Sequence, residues 1–478
     1  MVSWLKSTGA AGVAAAVGTA AFVWWGTGLD PWWPLLWLAP IPVLLYAQKA
    51  RAGPAALCAT AGWVLGTLNL ERYLHRTLGI PIGTVVVLVI APAFAFAGSV
   101  LLFRALTRRG CFGWAVVSFP ALMTAIEVGF ERHSPHGTGG SLAYSQLRCL
   151  PILQIASVTG PAGITFLVLG FAAAMAAALR AGRRAIVPAG VFSVILLATV
   201  TWGTWRLARQ MPGPTVEVGL VASDQEEHLR LAEPGAVTRQ QWEAYRPAVL
   251  ELARQGATVV VLPEKLGMVV GPATSQTDAF FEALADQARI LLVVGMDRTI
   301  GEGIAYNEAR VYRPGLAVGK YDKEHLLPTF ENKYTPGQEL LLLPAASALV
   351  AVAICKDLDF PAPANRYGVA GAGLLLAPAW DFDVDRIYHG HMAIMRGVES
   401  GFSIARAAKQ GYLTVSDNRG RVLAERPSNE APFSTLLTAV PAGHASTTYL
   451  KLGPAFGDLT MVLDALSLIR LAWRPRCV

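Results

Sequence analysis

The sequence predicts a multi-span α-helical membrane domain joined to a layered α/β domain. Of the 478 residues, 53% are hydrophobic and 15% are charged, and the mean hydropathy is +0.43. A soluble globular protein of this length is less apolar, so much of the chain is expected to lie in lipid. The apolar residues are unevenly placed: residues 1–210 carry long uncharged runs, whereas 214–445 alternate polar and apolar residues. Two domains are therefore expected, one that lies in lipid and one that lies in water.

Seven apolar segments in residues 1–210 are each close to the roughly 20 residues that cross a bilayer core, although the second is short. They lie at 7–27, 31–47, 53–70, 79–103, 112–130, 159–179 and 186–206. Residues 1–27 could instead be a cleaved signal peptide, because Lys6 precedes an apolar run. Trp24 and Trp25 follow that run in place of a small-residue cleavage site, which favours a membrane span.

A last, weaker span is predicted at 455–473, where Asp458 and Asp464 interrupt the apolar run. Basic residues then give the orientation, because they occur in every second gap between spans. They are Lys6, Lys49, Arg51, Arg104, Arg108, Arg109, Arg180, Arg183 and Arg184. Such gaps face the cytoplasm, so the amino terminus is expected inside and residues 214–445 outside. The net charge of +7 largely reflects this topology and does not call for nucleic acid as a partner.

Residues 214–445 alternate predicted strands and helices, which is typical of a layered α/β sandwich with its site at the strand ends. Strand-like runs lie at 215–223, 258–264, 290–296, 309–315, 349–355 and 373–379, and helical patterns lie at 236–254, 276–288 and 385–401. The stretch "MPGP" at 211–214 is the expected seam between the two domains.

Four residues at or beside these strand ends could carry chemistry: Glu264, Lys323, Glu331 and Cys355. A thiol becomes a strong nucleophile when a base takes its proton and a cation holds the developing oxyanion. Taken singly, a cysteine after a strand is usually a small buried hydrophobe, and a lysine or glutamate is usually a surface charge. Their joint occurrence in this order favours a catalytic set.

The Pro-Glu at 263–264, the "YDKEHLLP" run at 321–328 and the cysteine after an apolar strand resemble the carbon–nitrogen hydrolase (nitrilase) superfamily, whose catalytic trio is Glu–Lys–Cys. With the membrane domain included, the chain resembles the apolipoprotein N-acyltransferase family from end to end. Further matches are "AYSQL", Trp380 in "PAWDF", "HGHMAIMRGVESG" with Arg396 and Glu399, "VSDNRGRV" and "TTYLKLGPAFGDL".

This resemblance implies an αββα-sandwich on the periplasmic face of a bacterial inner membrane and an acyltransferase activity. Cys355 would take an acyl chain from a phospholipid as a thioester, with Glu264 as general base and Lys323 stabilising the oxyanion. The amino-terminal amine of a diacylglyceryl-cysteine lipoprotein would then receive the acyl chain. Glu331, Trp380 and Glu399 would support the site, and neither a cofactor nor a metal is implied.

Two apolar tracts are candidates for arms that reach the membrane and grip acyl chains. They are "GMVVG" at 267–271, with Met268 and Val269, and "LLLLP" at 340–344; an ordinary buried loop or strand is the alternative reading of each. The sequence also departs from the family pattern. Lys356-Asp357 follows the nucleophile where an aromatic and an acidic residue are usual, and Trp380 lacks the usual preceding Ser-Asn-Asp, which bears on substrate preference.

Two rival functions and one rival site remain at this point. A membrane-anchored amidase would pass its acyl-enzyme to water, and a transporter or scaffold would carry a degenerate hydrolase domain. Few charges lie in the middle of the predicted spans, which disfavours a transport pathway. The run "DFDVDRIYHGH" could suggest a metal, but it lacks the glycine and the distal glutamate of a calcium loop, so solvated acids before a helix are the better account.

Overall fold

The computed structural model of the chain describes residues 2–473, apart from 210, 212, 232, 302, 346 and 347. The described residues divide into two compact units. The helical unit comprises 2–134, 140–208 and 452–473, and the α/β unit comprises Pro135–Gly139 and 209–451. A five-residue segment from between two helices of the first unit is thus part of the second.

Sixteen α-helices occur among the described residues. They are α1 (Val2–Gly26), α2 (Pro34–Leu38), α3 (Ile41–Lys49), α4 (Ala52–Thr67), α5 (Ile82–Arg108), α6 (Phe112–His133), α7 (Leu150–Leu153), α8 (Ala156–Thr159), α9 (Pro161–Ala181), α10 (Ile186–Ala208), α11 (Ala236–Arg254), α12 (Thr274–Ala288), α13 (Pro361–Val369), α14 (Arg386–Ser400), α15 (Thr448–Leu452) and α16 (Ala455–Ala472).

Four helical stretches of the described chain are long and apolar enough to cross a membrane. They are Gly9–Gly26, Ile82–Arg108, Phe112–His133 and Pro161–Ala208, the last of which contains both α9 and α10. The segment predicted as a single span at 31–47 forms the two short helices α2 and α3, with Pro40 between them. The chain is therefore a membrane protein, and the count of eight spans stays a prediction.

Buried polar side chains hold the helical unit together around the "AYSQL" run. Gln146 accepts a hydrogen bond from Trp37 Nε1 at 2.8 Å and donates to the Trp33 carbonyl at 3.0 Å. The carboxylate of Glu127 on α6 accepts from Ser141 Oγ at 2.6 Å and from Thr165 Oγ1 at 2.7 Å. Buried polar groups need such partners, so these side chains tie the loop before α7 to α6 and α9.

The α/β unit contains two mixed sheets. The strands are β1 (Thr215–Ala222), β2 (Val259–Val261), β3 (Met268–Val270), β4 (Leu291–Ile300), β5 (Ile304–Tyr312), β6 (Gly319–Asp322), β7 (Leu341–Ala345), β8 (Ala348–Val352), β9 (Leu374–Trp380), β10 (Ser403–Lys409), β11 (Tyr412–Ser416), β12 (Val422–Pro427) and β13 (Ser434–Pro441). The first sheet has the order β13-β1-β2-β4-β5-β6, with β3 paired to β4, and the second has the order β12-β11-β10-β9-β8-β7.

The alternation of side chains along the strands explains the layers. Val259 and Val261 of β2 lie in one core with Val350 and Val352 of β8, so this core fills the space between the sheets. Val260 lies instead in a second core, with Tyr245 and Val249 of α11 and Phe281 of α12. On the second sheet, α14 packs against β10 and β11 and also contacts α13. The result is the predicted αββα-sandwich, with buried strands delivering polar residues at their ends.

Candidate active site

The ends of strands from both sheets bring the predicted trio together. Glu264 follows β2, Lys323 follows β6, and Cys355 follows β8. The Glu264 backbone N–H donates to the Ala379 carbonyl of β9 at 3.3 Å, which joins the end of the first sheet to the second. Residues distant in sequence therefore meet where the two sheets end on the same side.

Lys323 lies between two buried carboxylates. Its Nζ is 2.8 Å from Glu264 Oε1 and 2.9 Å from Glu331 Oε2. Asn307 of β5 donates through Nδ2 to Glu264 Oε1 at 2.5 Å and to Glu331 Oε1 at 2.8 Å. Lys265 also pairs with Glu331. Two carboxylates and two ammonium groups thus form one hydrogen-bonded cluster.

The charges in this cluster stabilise one another. Burial lowers the pKa of Lys323, but the carboxylates of Glu264 and Glu331 outweigh it and hold the pKa of the ammonium well above its usual value. Burial raises the pKa of Glu331, but Lys323 and Lys265 outweigh it and lower that pKa to about 2. Lys323 is therefore a permanent cation, which suits the stabilisation of a developing oxyanion.

Cys355 adopts a left-handed backbone conformation, with φ of +41°, at the start of the 3₁₀ turn Cys355–Asp359. Such a conformation costs a non-glycine residue about 1–3 kcal/mol and clusters at functional sites. Cys355 as a whole residue is partly exposed, whereas the four residues that follow it are buried. The backbone conformation at Cys355 therefore destabilises the fold slightly, and it leaves this residue partly accessible in the site.

The thiol of Cys355 is protonated at rest. Burial raises its pKa, the Glu264 carboxylate raises it further, and Lys323 and Arg406 act in the opposite direction. Its Sγ lies 3.7 Å from the Trp380 carbonyl oxygen and 3.9 Å from Arg406 Nη2. A thiolate is the nucleophile in such chemistry, so the thiol needs a base at the moment of attack.

Asp357 connects the turn that carries Cys355 to the loop that carries Lys323 and follows β6. Its Oδ2 accepts from the Ile354 N–H at 3.0 Å and from the Tyr321 hydroxyl at 2.8 Å, and its Oδ1 accepts from the His325 N–H at 2.7 Å and the Glu324 N–H at 3.1 Å. Asp357 is the acidic residue that the family pattern has at this position. Its structural role is to bind the backbone of both segments, the one before Cys355 and the one after Lys323.

Lys356, which stands where the family usually has an aromatic residue, is buried in a polar cluster. Its Nζ is 3.0 Å from Asp359 Oδ2 and 3.5 Å from His136 Nδ1. Thr138 donates to the Asp359 carbonyl through both its N–H and its hydroxyl, at 3.0 and 2.7 Å. Burial raises the pKa of Asp359, but Lys356 and His389 outweigh it and hold that pKa below its usual range. Lys356 thus helps to anchor the segment Pro135–Gly139.

Of the two remaining supporting residues, Trp380 is adjacent to the trio and Glu399 is not. Trp380 is adjacent, through its carbonyl contact with Cys355, and its indole N–H donates to Gln410 Oε1 at 2.9 Å. Glu399 lies on α14 in a buried pair with Arg396 at 3.1 Å. Burial raises its pKa to about 7, although Arg396 opposes the shift. Within the described part of the chain, Glu399 forms no hydrogen bond or ion pair with the trio.

The two apolar tracts belong to strands. Met268 and Val269 lie in β3, parallel to β4; Val269 is buried in the core beneath α11 and α12, whereas Met268 is partly exposed. The "LLLLP" tract forms most of β7, the edge strand of the second sheet, which pairs antiparallel with β8. The structure thus supports the strand reading of both tracts.

The acidic and histidine run beside Trp380 is divided among separate partners. Asp381 pairs with Arg406, Asp383 with Arg386, Asp385 with His389 at 3.1 Å, and His391 with Glu425 at 3.7 Å. Within the described ranges no group of three or more histidine, cysteine, aspartate or glutamate side chains could hold a metal ion.

Sequence reasoning missed Asn307, Arg406 and Lys409. Arg406 and Lys409 both lie in β10, the run "SIARAAK", and both are buried. A charged side chain is rarely buried without a partner, so charges inside an apolar strand were an available signal of a site. The run was not among the predicted strands.

The chain is a membrane protein that carries an α/β domain similar to the carbon–nitrogen hydrolases. A family model described as carbon-nitrogen hydrolase matches residues 218–444, and one described as the apolipoprotein N-acyltransferase N-terminal domain matches residues 12–174. The chain therefore joins these two domains.

Curated relatives extend the similarity over nearly the whole chain. The apolipoprotein N-acyltransferase of Geobacter metallireducens is 26% identical over 93% of this chain and 92% of its own length. That of Gloeobacter violaceus is 25% identical over 96% of this chain and 94% of its own. An amidase from Nesterenkonia sp. has a solved structure that is 20% identical, covers 53% of this chain and 97% of that chain, and has a TM-score of 0.42. The predicted resemblance to the apolipoprotein N-acyltransferase family is confirmed.

Proposed function

We propose that this chain is an N-acyltransferase that moves an acyl chain from a phospholipid to the amino-terminal amine of a diacylglyceryl-cysteine lipoprotein. The observation that carries the proposal is the arrangement of the trio: Lys323 is held between Glu264 and Glu331, and the charges of Glu264 and Lys323 both act on the Cys355 thiol. The relatives named apolipoprotein N-acyltransferase supply the substrate class.

In the first half-reaction, the Glu264 carboxylate takes the proton of the Cys355 thiol as Sγ attacks the ester carbonyl of the phospholipid. Lys323 donates to the oxyanion of the tetrahedral intermediate. The carbon–oxygen bond then breaks, the leaving oxygen takes the proton from Glu264, and a lysophospholipid departs. The acyl chain remains on Cys355 as a thioester.

In the second half-reaction, the neutral amine of the lipoprotein attacks the thioester carbonyl. A carbon–nitrogen bond forms, Glu264 takes a proton from the amine, and the carbon–sulfur bond breaks. The thiolate that leaves recovers its proton from Glu264. One nucleophile serves both steps because the donor and the acceptor occupy the site in turn.

A site that draws acyl chains from a bilayer has to lie beside the lipid. We place the chain in a bacterial inner membrane, with the α/β unit on the periplasmic face, because the basic residues occupy every second gap. Met268 remains a candidate contact of the acyl chain, since it is partly exposed just beyond Glu264. Val269 could act there only if β3 left the core.

The direct test supplies purified protein with phospholipid and a diacylglyceryl-modified peptide that has a free amino terminus. N-acyl peptide and lysophospholipid should form in equal amounts, with an acyl adduct on Cys355 when the peptide is omitted. Cys355→Ala should remove both products, and Glu264→Gln or Lys323→Met should slow turnover by about a hundredfold or more. Lys320→Met, an exposed lysine on β6, is the matched control and should keep full activity.

Two outcomes would contradict the proposal. Release of free fatty acid without N-acyl peptide, at every peptide concentration, would favour the membrane-anchored amidase or a lipase-like hydrolase. Normal turnover by Glu264→Gln or by Lys323→Met would remove the roles assigned to those side chains.

A further inference from the structure

The side chain of Arg406 lies at the base of the Cys355 thiol, although neither half-reaction above uses it. Arg406 is on β10 and is only 2% exposed. Strand β10 runs parallel to β9, which in turn runs parallel to β8, the strand that leads to Cys355. Strand β9 therefore separates Arg406 from the strand that leads to the nucleophile, and the long side chain of Arg406 crosses that gap to Cys355.

Asp381 holds the guanidinium group of Arg406 in a fixed orientation. Arg406 Nη1 donates to Asp381 Oδ2 at 2.7 Å, and Nη2 donates to Asp381 Oδ1, so the pair is bidentate. Asp381 is itself held by its backbone N–H, which donates to the Lys409 carbonyl at 2.9 Å. A planar guanidinium bound at two points cannot rotate without breaking both hydrogen bonds.

The N–H group of Arg406 Nη2 that Asp381 does not take reaches the thiol. Nη2 carries two hydrogens, of which Asp381 takes one, and Nη2 also donates to Cys355 Sγ at 3.9 Å. The attraction to Arg406 lowers the pKa of the thiol by more than the repulsion from Asp381 raises it. The guanidinium is therefore oriented to favour negative charge on sulfur.

We propose that Arg406 is a further catalytic residue, which donates a hydrogen bond to Cys355 Sγ and stabilises the thiolate. Resting on the proposed function, the inference assigns it a part in both half-reactions. It favours the anion as Glu264 takes the thiol proton, and it favours the same anion as the leaving group when the thioester breaks. Lys323 is engaged by two carboxylates and is assigned to the carbonyl oxygen, so the two cations have separate tasks.

The competing explanation is a purely structural ion pair, since a buried aspartate needs a partner. The chain offers a matched pair for comparison. Arg310 on β5 is 1% exposed and binds Asp278 through two hydrogen bonds, at 2.8 and 2.6 Å. Among the described residues Arg310 forms no hydrogen bond with Cys355, so it is as buried as Arg406 but does not lie at the nucleophile.

The test measures the rate at which iodoacetamide alkylates Cys355 in the purified full chain between pH 6 and pH 10, followed by the mass of the peptide that contains Cys355. The double variant Arg406→Gln with Asp381→Asn removes both charges and keeps a neutral pair of similar size. We expect its rate at pH 7 to fall about tenfold, which corresponds to a rise of about one unit in the pKa of the thiol. The control Arg310→Gln with Asp278→Asn should stay within about twofold of the parent.

An unchanged alkylation profile in the folded double variant would overturn the proposal and leave Arg406 a structural residue. If the double variant does not fold, Arg406→Lys is the second test. The lysine keeps a positive charge for Asp381 but loses the planar guanidinium that binds Asp381 and Cys355 together. This variant should still alkylate at least about threefold more slowly, and an unchanged rate would again overturn the proposal. Alkylation needs neither phospholipid nor lipoprotein, so its outcome is separate from that of the acyl-transfer assay.

Discussion

Lys409 is a buried amine in the wall of the site that the proposed mechanism does not use. Its Nζ lies 3.6 Å from the centre of the Trp380 ring and donates to the carbonyls of His228 at 3.2 Å and Lys265 at 3.4 Å. Burial lowers its pKa to about 7, even though the Glu264 carboxylate acts in the opposite direction. The residue links the segments at His228 and Lys265 to Trp380 at the end of β9, and its charge state changes near neutral pH.

This lowered pKa predicts a pH-dependent stability. In the unfolded chain a lysine titrates near pH 10.4, so between about pH 7 and pH 10 the unfolded state holds the extra proton. Stability contributed by this group therefore rises with pH across that window and is lowest below pH 7. We expect the thermal midpoint of the parent, measured in detergent, to rise relative to that of Lys409→Met by several degrees from pH 7 to pH 9.5.

The control for this measurement is Lys451→Met, which changes an exposed lysine. Its thermal midpoint should run parallel to that of the parent over the same pH range. If Lys409→Met also ran parallel, the lowered pKa of Lys409 would be refuted.

At the scale of elements, the turn after β8 and the loop after β6 depend on a single carboxylate. Asp357 is fully buried and accepts four hydrogen bonds, three of them from backbone N–H groups. Asparagine can accept at only one of its two terminal atoms, so Asp357→Asn leaves donors without a partner. Each such buried group costs about 1–3 kcal/mol.

We therefore expect Asp357→Asn to lower the thermal midpoint and also to slow acylation of Cys355 by tenfold or more, because both loops of the trio lose their shared anchor. Asp417→Asn is the matched control. Asp417 is buried and accepts from the N–H groups of Arg419 and Arg421, both at 2.9 Å, in the turn between β11 and β12. Both of these N–H groups bind Oδ1, an oxygen that asparagine keeps, so Asp417→Asn should lose less stability than Asp357→Asn and should keep its acylation rate per folded molecule. Equal acylation by both variants would contradict an anchoring role for Asp357.

At the scale of the whole molecule, the prediction that remains to be tested is topology. Single cysteines at Pro135 and Asn429, introduced into a Cys355→Ala background, should react with an impermeant thiol reagent in intact spheroplasts. A cysteine at Arg183 should react only after lysis. All three positions are exposed. Position 137 is unsuitable, because Gly137 has a φ of +53° and a Cβ there would lie 2.6 Å from the Asp359 carbonyl oxygen.

The expected pattern follows from the basic loops. The Cys355→Ala parent, which keeps the other four cysteines, reports the background labelling before and after lysis. Reaction at position 183 before lysis, without reaction at 135 and 429, would invert the orientation. The α/β unit would then face the cytoplasm, where it could not meet secreted lipoproteins.

Much of the fold was predictable from local pattern. The helix predicted at 236–254 is α11 (Ala236–Arg254), and the strand predicted at 215–223 is β1 (Thr215–Ala222). Helices and buried strands of this kind carry their own periodicity, which does not depend on distant residues. In the second sheet, β8 and β9 were predicted at 349–355 and 373–379, whereas β10, β11 and β12 were not predicted.

The sequence by itself determined that an apolar helical part is followed by an α/β part, and it singled out Glu264, Lys323 and Cys355 as candidates. Both conclusions rest on features that neighbouring residues express, namely hydropathy, strand ends and short motifs. Only the tertiary structure decided that Asn307 joins Glu264 to Glu331 and that Arg406 reaches Cys355. Those contacts join residues distant in the chain, and they exist because the strand order places β10 next to β9 and β9 next to β8, an order that no local pattern encodes.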